Sequence, residues 1–174
     1  MNTYLLILLR ILHIFAGALW VGAAISYLFF FKPSVKAIGS AGPQFMQNLS
    51  ERRKYPVFMV STSLLTVLAG GALYLYASGG FSWAWISSGP GIGFTIGSLA
   101  ALVAFLVGNF GIGPTAGKLG ALGQQIGAAG GIPTPEQIST LQALEKKLSR
   151  AELIDFVTLA ISMLTMATAR YWTF

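Results

Sequence analysis

Long apolar segments alternate with short polar segments along this chain. Four of the apolar segments reach the roughly 20 residues that a membrane-spanning helix needs. They cover residues 4–31, 56–77, 91–112 and 153–172. Because short connections join them, four such helices are expected to form an up-down-up-down bundle. The pattern therefore predicts an all-α fold, a single four-helix transmembrane domain of residues 1–174.

The segment before the fourth span also carries a helical pattern. Thr134 is a candidate N-cap, Pro135 stands at the first helical position, and Gln137 completes a capping box. Apolar residues then recur at helical spacing, at Ile138, Leu141, Leu144 and Leu148. We therefore predict a cytoplasmic amphipathic helix over residues 135–150, continuous with the fourth span as one helix of residues 135–172.

The third span is also expected to continue beyond the membrane, over residues 115–126, after a kink at Pro114. Two arrangements of these helical extensions remain open. They pair as a hairpin below the membrane, or the amphipathic helix lies on the lipid surface.

Composition excludes a soluble domain. Hydrophobic residues make up 55% of the chain, charged residues 9%, and the mean hydropathy is +0.70. A soluble domain carries about 25% charged residues. The chain contains no cysteine, which excludes disulfides, thiolate metal sites and cysteine nucleophiles. The sequence thus predicts an integral membrane protein.

The net charge of +6 reflects the placement of the basic residues. Nine of the eleven lie in the first and third connections: Lys32, Lys36, Arg52, Arg53, Lys54, Lys118, Lys146, Lys147 and Arg150. The positive-inside rule places these connections in the cytoplasm and both termini outside a cell (inner or plasma) membrane. Trp83, Trp85, Tyr171 and Trp172 then form an aromatic belt at the outer boundary. This distribution argues against nucleic-acid binding.

The only histidine of the chain, His13, lies inside the first span. At the helical rise it is about 14 Å below the start of the span, near the bilayer midplane. Arg10, Gly17 and Trp20 share its helical stripe. Polar groups at this depth usually face the bundle or a cavity. His13 is therefore either a neutral imidazole bonded to a neighbouring helix or a ligand.

The first span has a recognisable pattern, L-x-x-L-H-I-x(6)-W-x-G-x(4)-Y-L. It is carried by Leu9, Leu12, His13, Ile14, Trp20, Gly22, Tyr27 and Leu28. This pattern resembles the first helix of the CopD/HemJ-like superfamily of small membrane proteins. The second span, RRKYPVFMVSTSLLTVLAGGALYL, is also similar, and the charged start of the fourth, LSRAELID, is loosely so.

The resemblance implies two functions. HemJ-type members are linked to protoporphyrinogen oxidation and bind haem b, whereas CopD-type members are linked to copper uptake. His13 corresponds to the histidine of the HemJ-type first helix. The third span has no His, Lys or Arg where HemJ-type members look basic and histidine-bearing. With one histidine, a single chain cannot supply bis-histidine ligation.

The resulting hypothesis is that His13 is an axial ligand to b-type haem, for electron transfer or porphyrin oxidation. The second ligand is Met166, on the inner stripe of the fourth span, or His13 of a second chain. Arg10 and Arg170 would pair with the propionates near the outer interface, and Trp20 completes the predicted cofactor site.

Two other functions remain open. His13 and Met166 could bind copper as soft ligands in a CopD-like copper or ion permease, although this is weaker than haem. The chain could also be a non-catalytic subunit of a larger membrane complex, since nothing in the sequence demands an enzyme. We expect the bilayer and either a second copy or other membrane subunits as partners.

Two further features are interpreted as structural. Gly93, Gly97 and Ala101 form a small-residue face for helix packing. Asp155 lies near the cytoplasmic end of the fourth span, where it is expected to pair with Arg52, Arg53 or Arg150.

Overall fold

The computed structural model describes residues 2–174, which are helical in every regular element. Four long helices and two short ones follow one another along the chain. They are α1 (Thr3–Ala37), α2 (Gly42–Gln47), α3 (Tyr55–Ala77), α4 (Trp83–Ile86), α5 (Gly89–Ala128) and α6 (Pro135–Tyr171). The all-α prediction is confirmed for this part of the chain.

The four long helices are each long and apolar enough to cross a membrane. α1 has 35 residues, α3 has 23, α5 has 40 and α6 has 37. Their apolar windows contain few charges, as the hydrocarbon core requires. The protein is therefore a multi-pass integral membrane protein.

Two of these helices widen into a π-helical turn before a proline and continue beyond it, as predicted for the third span over residues 115–126 but not for the first span. In α1 the turn Tyr27–Phe31 precedes Pro33, and in α5 the turn Val107–Ile112 precedes Pro114. A proline has no N–H and crowds the preceding turn of an α-helix. The wider turn accommodates both effects, so that α1 continues beyond residue 31 and α5 continues through Pro114.

The helical extensions pair with each other. The capping box before α6 is formed, because Thr134 N donates to Gln137 Oε1 at 2.9 Å and Gln137 N donates to Thr134 Oγ1 at 3.3 Å. The last part of α5 packs along α6, where Ile126 and Leu148 are buried. The extensions therefore form the hairpin rather than separate surface helices.

The connection between α1 and α3 is also ordered, which the sequence pattern did not predict. It contains α2 and a π-helical turn, Asn48–Arg52. Gln124 Nε2 on α5 donates to Glu51 Oε1 at 3.0 Å. This connection therefore packs against the extension of α5.

Helix packing divides the bundle into two close pairs, α1 with α3 and α5 with α6. A Cβ atom at Gly97 would lie 2.6 Å from Met166 Cγ, and one at Gly93 would lie 2.7 Å from Ala169 Cβ. The predicted glycine face is thus confirmed as the contact between α5 and α6. Trp20, Ala104 and Leu159 form the buried core where α1 meets that pair.

Candidate functional site

The imidazole and the charged side chains that lie inside the bundle occupy two levels. One contains His13, between α1 and α3. The other contains Lys32, Glu152 and Asp155, where α1 approaches α6 near the basic connections.

A hydrogen bond to the backbone of α3 fixes the His13 ring. His13 Nδ1 lies 2.9 Å from the carbonyl oxygen of Thr66. Because a carbonyl only accepts, Nδ1 carries the hydrogen and donates it. In the neutral ring Nε2 is then an acceptor with a free lone pair. The Thr66 hydroxyl in turn donates to the Thr62 carbonyl at 2.7 Å, along α3.

A glycine on α3 makes room for the imidazole. A Cβ atom at Gly70 would lie 2.7 Å from His13 Cε1 and 2.8 Å from His13 Nδ1. One turn further along α1, a Cβ atom at Gly17 would be 3.4 Å from Thr66 Cγ2. The close approach of α1 and α3 at this level therefore depends on glycine at position 70.

This arrangement fits a metal ligand. Metal-ligating histidines commonly donate their other ring N–H to a carbonyl or carboxylate, which fixes the tautomer and the ring orientation. Thr66 supplies that carbonyl to His13. The same hydrogen bond would also satisfy a purely structural histidine, so the geometry permits ligation without requiring it.

The other predicted ligand belongs to a different interface. Met166 packs against Gly97 between α5 and α6, and its sulfur lies 3.9 Å from Ser162 Oγ. The contacts of His13 are with α3. The structure thus places the two predicted ligands in separate helix pairs. Over the described residues, 2–174, no group of three or more His, Cys, Asp or Glu side chains is placed to hold a metal ion.

The remaining predicted cofactor residues have different environments. Arg10 is exposed on α1. Arg170 is also exposed, and its guanidinium hydrogen-bonds the Tyr171 hydroxyl and lies 4.6 Å from the centre of that ring. Trp20 is 3% exposed and packs in the core with Ala104 and Leu159. Arg10 is therefore accessible at the surface of α1, whereas Trp20 contributes to the packing of the core.

The second level contains an ion pair that the sequence analysis did not identify. Lys32 Nζ pairs with the Glu152 carboxylate and donates to Ser149 Oγ at 3.0 Å. Lys32 reaches α6 because α1 remains helical beyond its π-helical turn. The sequence did contain a signal for this pair. Lys32 lies at the end of one span, and Glu152 and Asp155, three residues apart at the start of another, share a helix face.

The expected pairing of Asp155 with an arginine is wrong. Asp155 is 6% exposed, and its Oδ1 has no hydrogen-bond partner within residues 2–174. Arg52, Arg53 and Arg150 are exposed. The lysine that enters this part of the bundle pairs with Glu152 instead, one turn before Asp155.

Tyr27 of α1 and Tyr55 of α3 lie near the acidic pair. Their rings stack with centroids 6.1 Å apart, and the Tyr55 hydroxyl donates to the Ala23 carbonyl at 2.8 Å. On α5, a Cβ atom at Gly108 would lie 3.7 Å from Asp155 Oδ1. All four long helices therefore contribute to this level.

Comparison of the chain with protein-family models, curated proteins and solved structures finds no match. The four long apolar helices define the class, a multi-pass helical membrane protein.

Proposed function

We propose that this membrane protein binds b-type haem through His13 as an axial ligand. The observation that supports the proposal is the bond from His13 Nδ1 to the Thr66 carbonyl, which leaves Nε2 free to coordinate. A haem so bound supplies one-electron redox chemistry, whose potential depends on its axial ligands and surroundings. The resemblance to the CopD/HemJ-like superfamily points to the same residue, and porphyrin oxidation is the reaction it implies.

Three residues of the chain would prepare the ligand. The Thr66 carbonyl holds the tautomer, Gly70 leaves room for the ring against α3, and Gly17 lets α1 approach Thr66. Arg10 is exposed and free to pair with a propionate. We propose that the second axial ligand is His13 of a second copy, because Met166 packs between α5 and α6.

The single histidine of the chain supports a second copy as the partner, because a second imidazole ligand must come from another chain. In a dimer with a two-fold axis, the same residue of each copy can lie at the axis, so two His13 side chains could coordinate one haem. The copper alternative needs several soft ligands at one place, and His13 and Met166 lie in separate helix pairs.

We expect the purified protein, supplied with haem, to show a Soret band that His13→Ala abolishes. Gly70→Ala should weaken the band, since its Cβ would displace the imidazole. Gly71→Ala is the matched control, because nothing lies within 4 Å of that position. Visible absorption spectroscopy of the four proteins measures the effect.

The same spectra separate the alternatives. Met166→Leu should leave the spectrum unchanged if the second ligand is His13 of another copy, and should shift it if sulfur coordinates. A wild-type protein without a Soret band, even after haem supplementation, contradicts haem binding and favours the non-catalytic subunit.

We also propose an up-down-up-down topology with both termini outside and the basic connections in the cytoplasm. The basic residues of the first and third connections support this orientation. An alkaline phosphatase fusion at Phe174 should be active and a fusion after Lys147 inactive. The reverse pattern of activity contradicts the orientation.

A further inference from the structure

The charges at the second polar level do not balance. Glu152 and Asp155 are 5% and 6% exposed, and Lys32, the cation at this level, pairs with Glu152. Two ionised carboxylates and one ammonium leave one negative charge inside the bundle. A buried, uncompensated charge is strongly unfavourable, and ionisable groups in a membrane interior are usually paired or functional.

One oxygen of each of the two carboxyl groups also lacks a hydrogen-bond donor among the described residues. Glu152 Oε1 and Asp155 Oδ1 are buried without a partner, as judged over residues 2–174. Both belong to side chains that are more than nine-tenths buried. An ionised carboxylate oxygen that is buried without a donor loses its hydration and gains no hydrogen bond in exchange, which is unfavourable.

The neighbours of Asp155 offer it no cation. From α5, Gly108 faces the carboxyl group, since a Cβ atom there would lie 3.7 Å from Asp155 Oδ1. From α3, Tyr55 lies within electrostatic range, but its hydroxyl donates to Ala23. From α1, Tyr27 lies within electrostatic range of Glu152, and Lys32 pairs with that carboxylate.

We propose that Asp155 is a proton-binding site, in which one bound proton neutralises the cluster of Lys32, Glu152 and Asp155. A metal cation would suffer repulsion from the nearby ammonium of Lys32, whereas a proton bound to Asp155 gives a neutral carboxyl group. The site lies beside the two π-helical turns, Tyr27–Phe31 and Val107–Ile112, a type of irregularity that is frequent at functional sites. The proposal is independent of haem binding.

Infrared spectroscopy of the full chain in liposomes tests this proposal near neutral pH. The wild-type protein should show the C=O stretch of a protonated carboxyl group, shifted in deuterated water. Asp155→Asn should lose this band. Glu145→Gln is the matched control, because Glu145 is an exposed carboxylate on the same helix, and it should keep the band.

The outcomes that overturn the proposal are distinct. A wild-type spectrum without a protonated carboxyl overturns it even if the variant does not fold. Persistence of the band in folded Asp155→Asn overturns it as well. Loss of the wild-type band on adding sodium chloride, but not choline chloride, at constant pH would assign the cluster to a metal cation instead.

Discussion

Gly97→Leu is expected to destabilise the protein by about 3 kcal/mol or more, at the upper end of the usual cost of overpacking. Even a Cβ atom at this position would lie 2.6 Å from Met166 Cγ and 2.7 Å from Thr165 Oγ1. In lipid, close backbone approach rather than hydrophobic burial drives helix association. A leucine would therefore force α5 and α6 apart along their main contact.

Thermal unfolding in detergent measures the effect of Gly97→Leu. Gly71→Leu is the matched control, because Gly71 lies within α3, faces outward and has nothing within 4 Å of its Cβ position. We expect the control to melt close to wild type. Equal melting of the two variants would mean that the contact between α5 and α6 does not limit stability.

The lengths of the apolar runs were sufficient to predict the four long helices. Length decides the assignment, since about 20 apolar residues span a bilayer. The capping box at Thr134 and the continuous α6 followed from local residue types, which act within one turn of helix. The continuation of α5 beyond Pro114 was predicted over residues 115–126 and is confirmed, since the helix ends at Ala128. The end of α1 was not predictable in this way, because the π-helical turn before Pro33 has no sequence signature of its own.

The polar sites were predictable only in part. His13 was identifiable because a single imidazole in an apolar helix needs a partner, but the identity of that partner, a backbone carbonyl of α3, carries no sequence signal. Lys32 was assigned to a connection, since a lysine after an apolar run normally marks the end of a span. Only the continuation of α1 brings it to Glu152, which is 120 residues away in the chain.

Lys32→Met is expected to destabilise the protein because it leaves Glu152 buried without its counter-charge. Removing one partner of a buried ion pair typically costs about 3–5 kcal/mol. The Lys32 side chain is 38% exposed and that of Glu152 is 4% exposed, so we expect the lower end of this range, about 3 kcal/mol. The loss should appear as a lower midpoint of thermal unfolding in detergent.

A double-mutant cycle separates the ion pair from other effects of the substitution. Adding Glu152→Gln to Lys32→Met removes the unpaired charge, so the double variant should be more stable than Lys32→Met alone. Lys36→Met is the matched control, because Lys36 lies one turn further along α1 and is exposed. If both lysine variants melt alike, or if Glu152→Gln adds to the loss, Lys32 does not compensate the buried carboxylate. In that case Glu152, like Asp155, would be a buried carboxylate without a counter-charge.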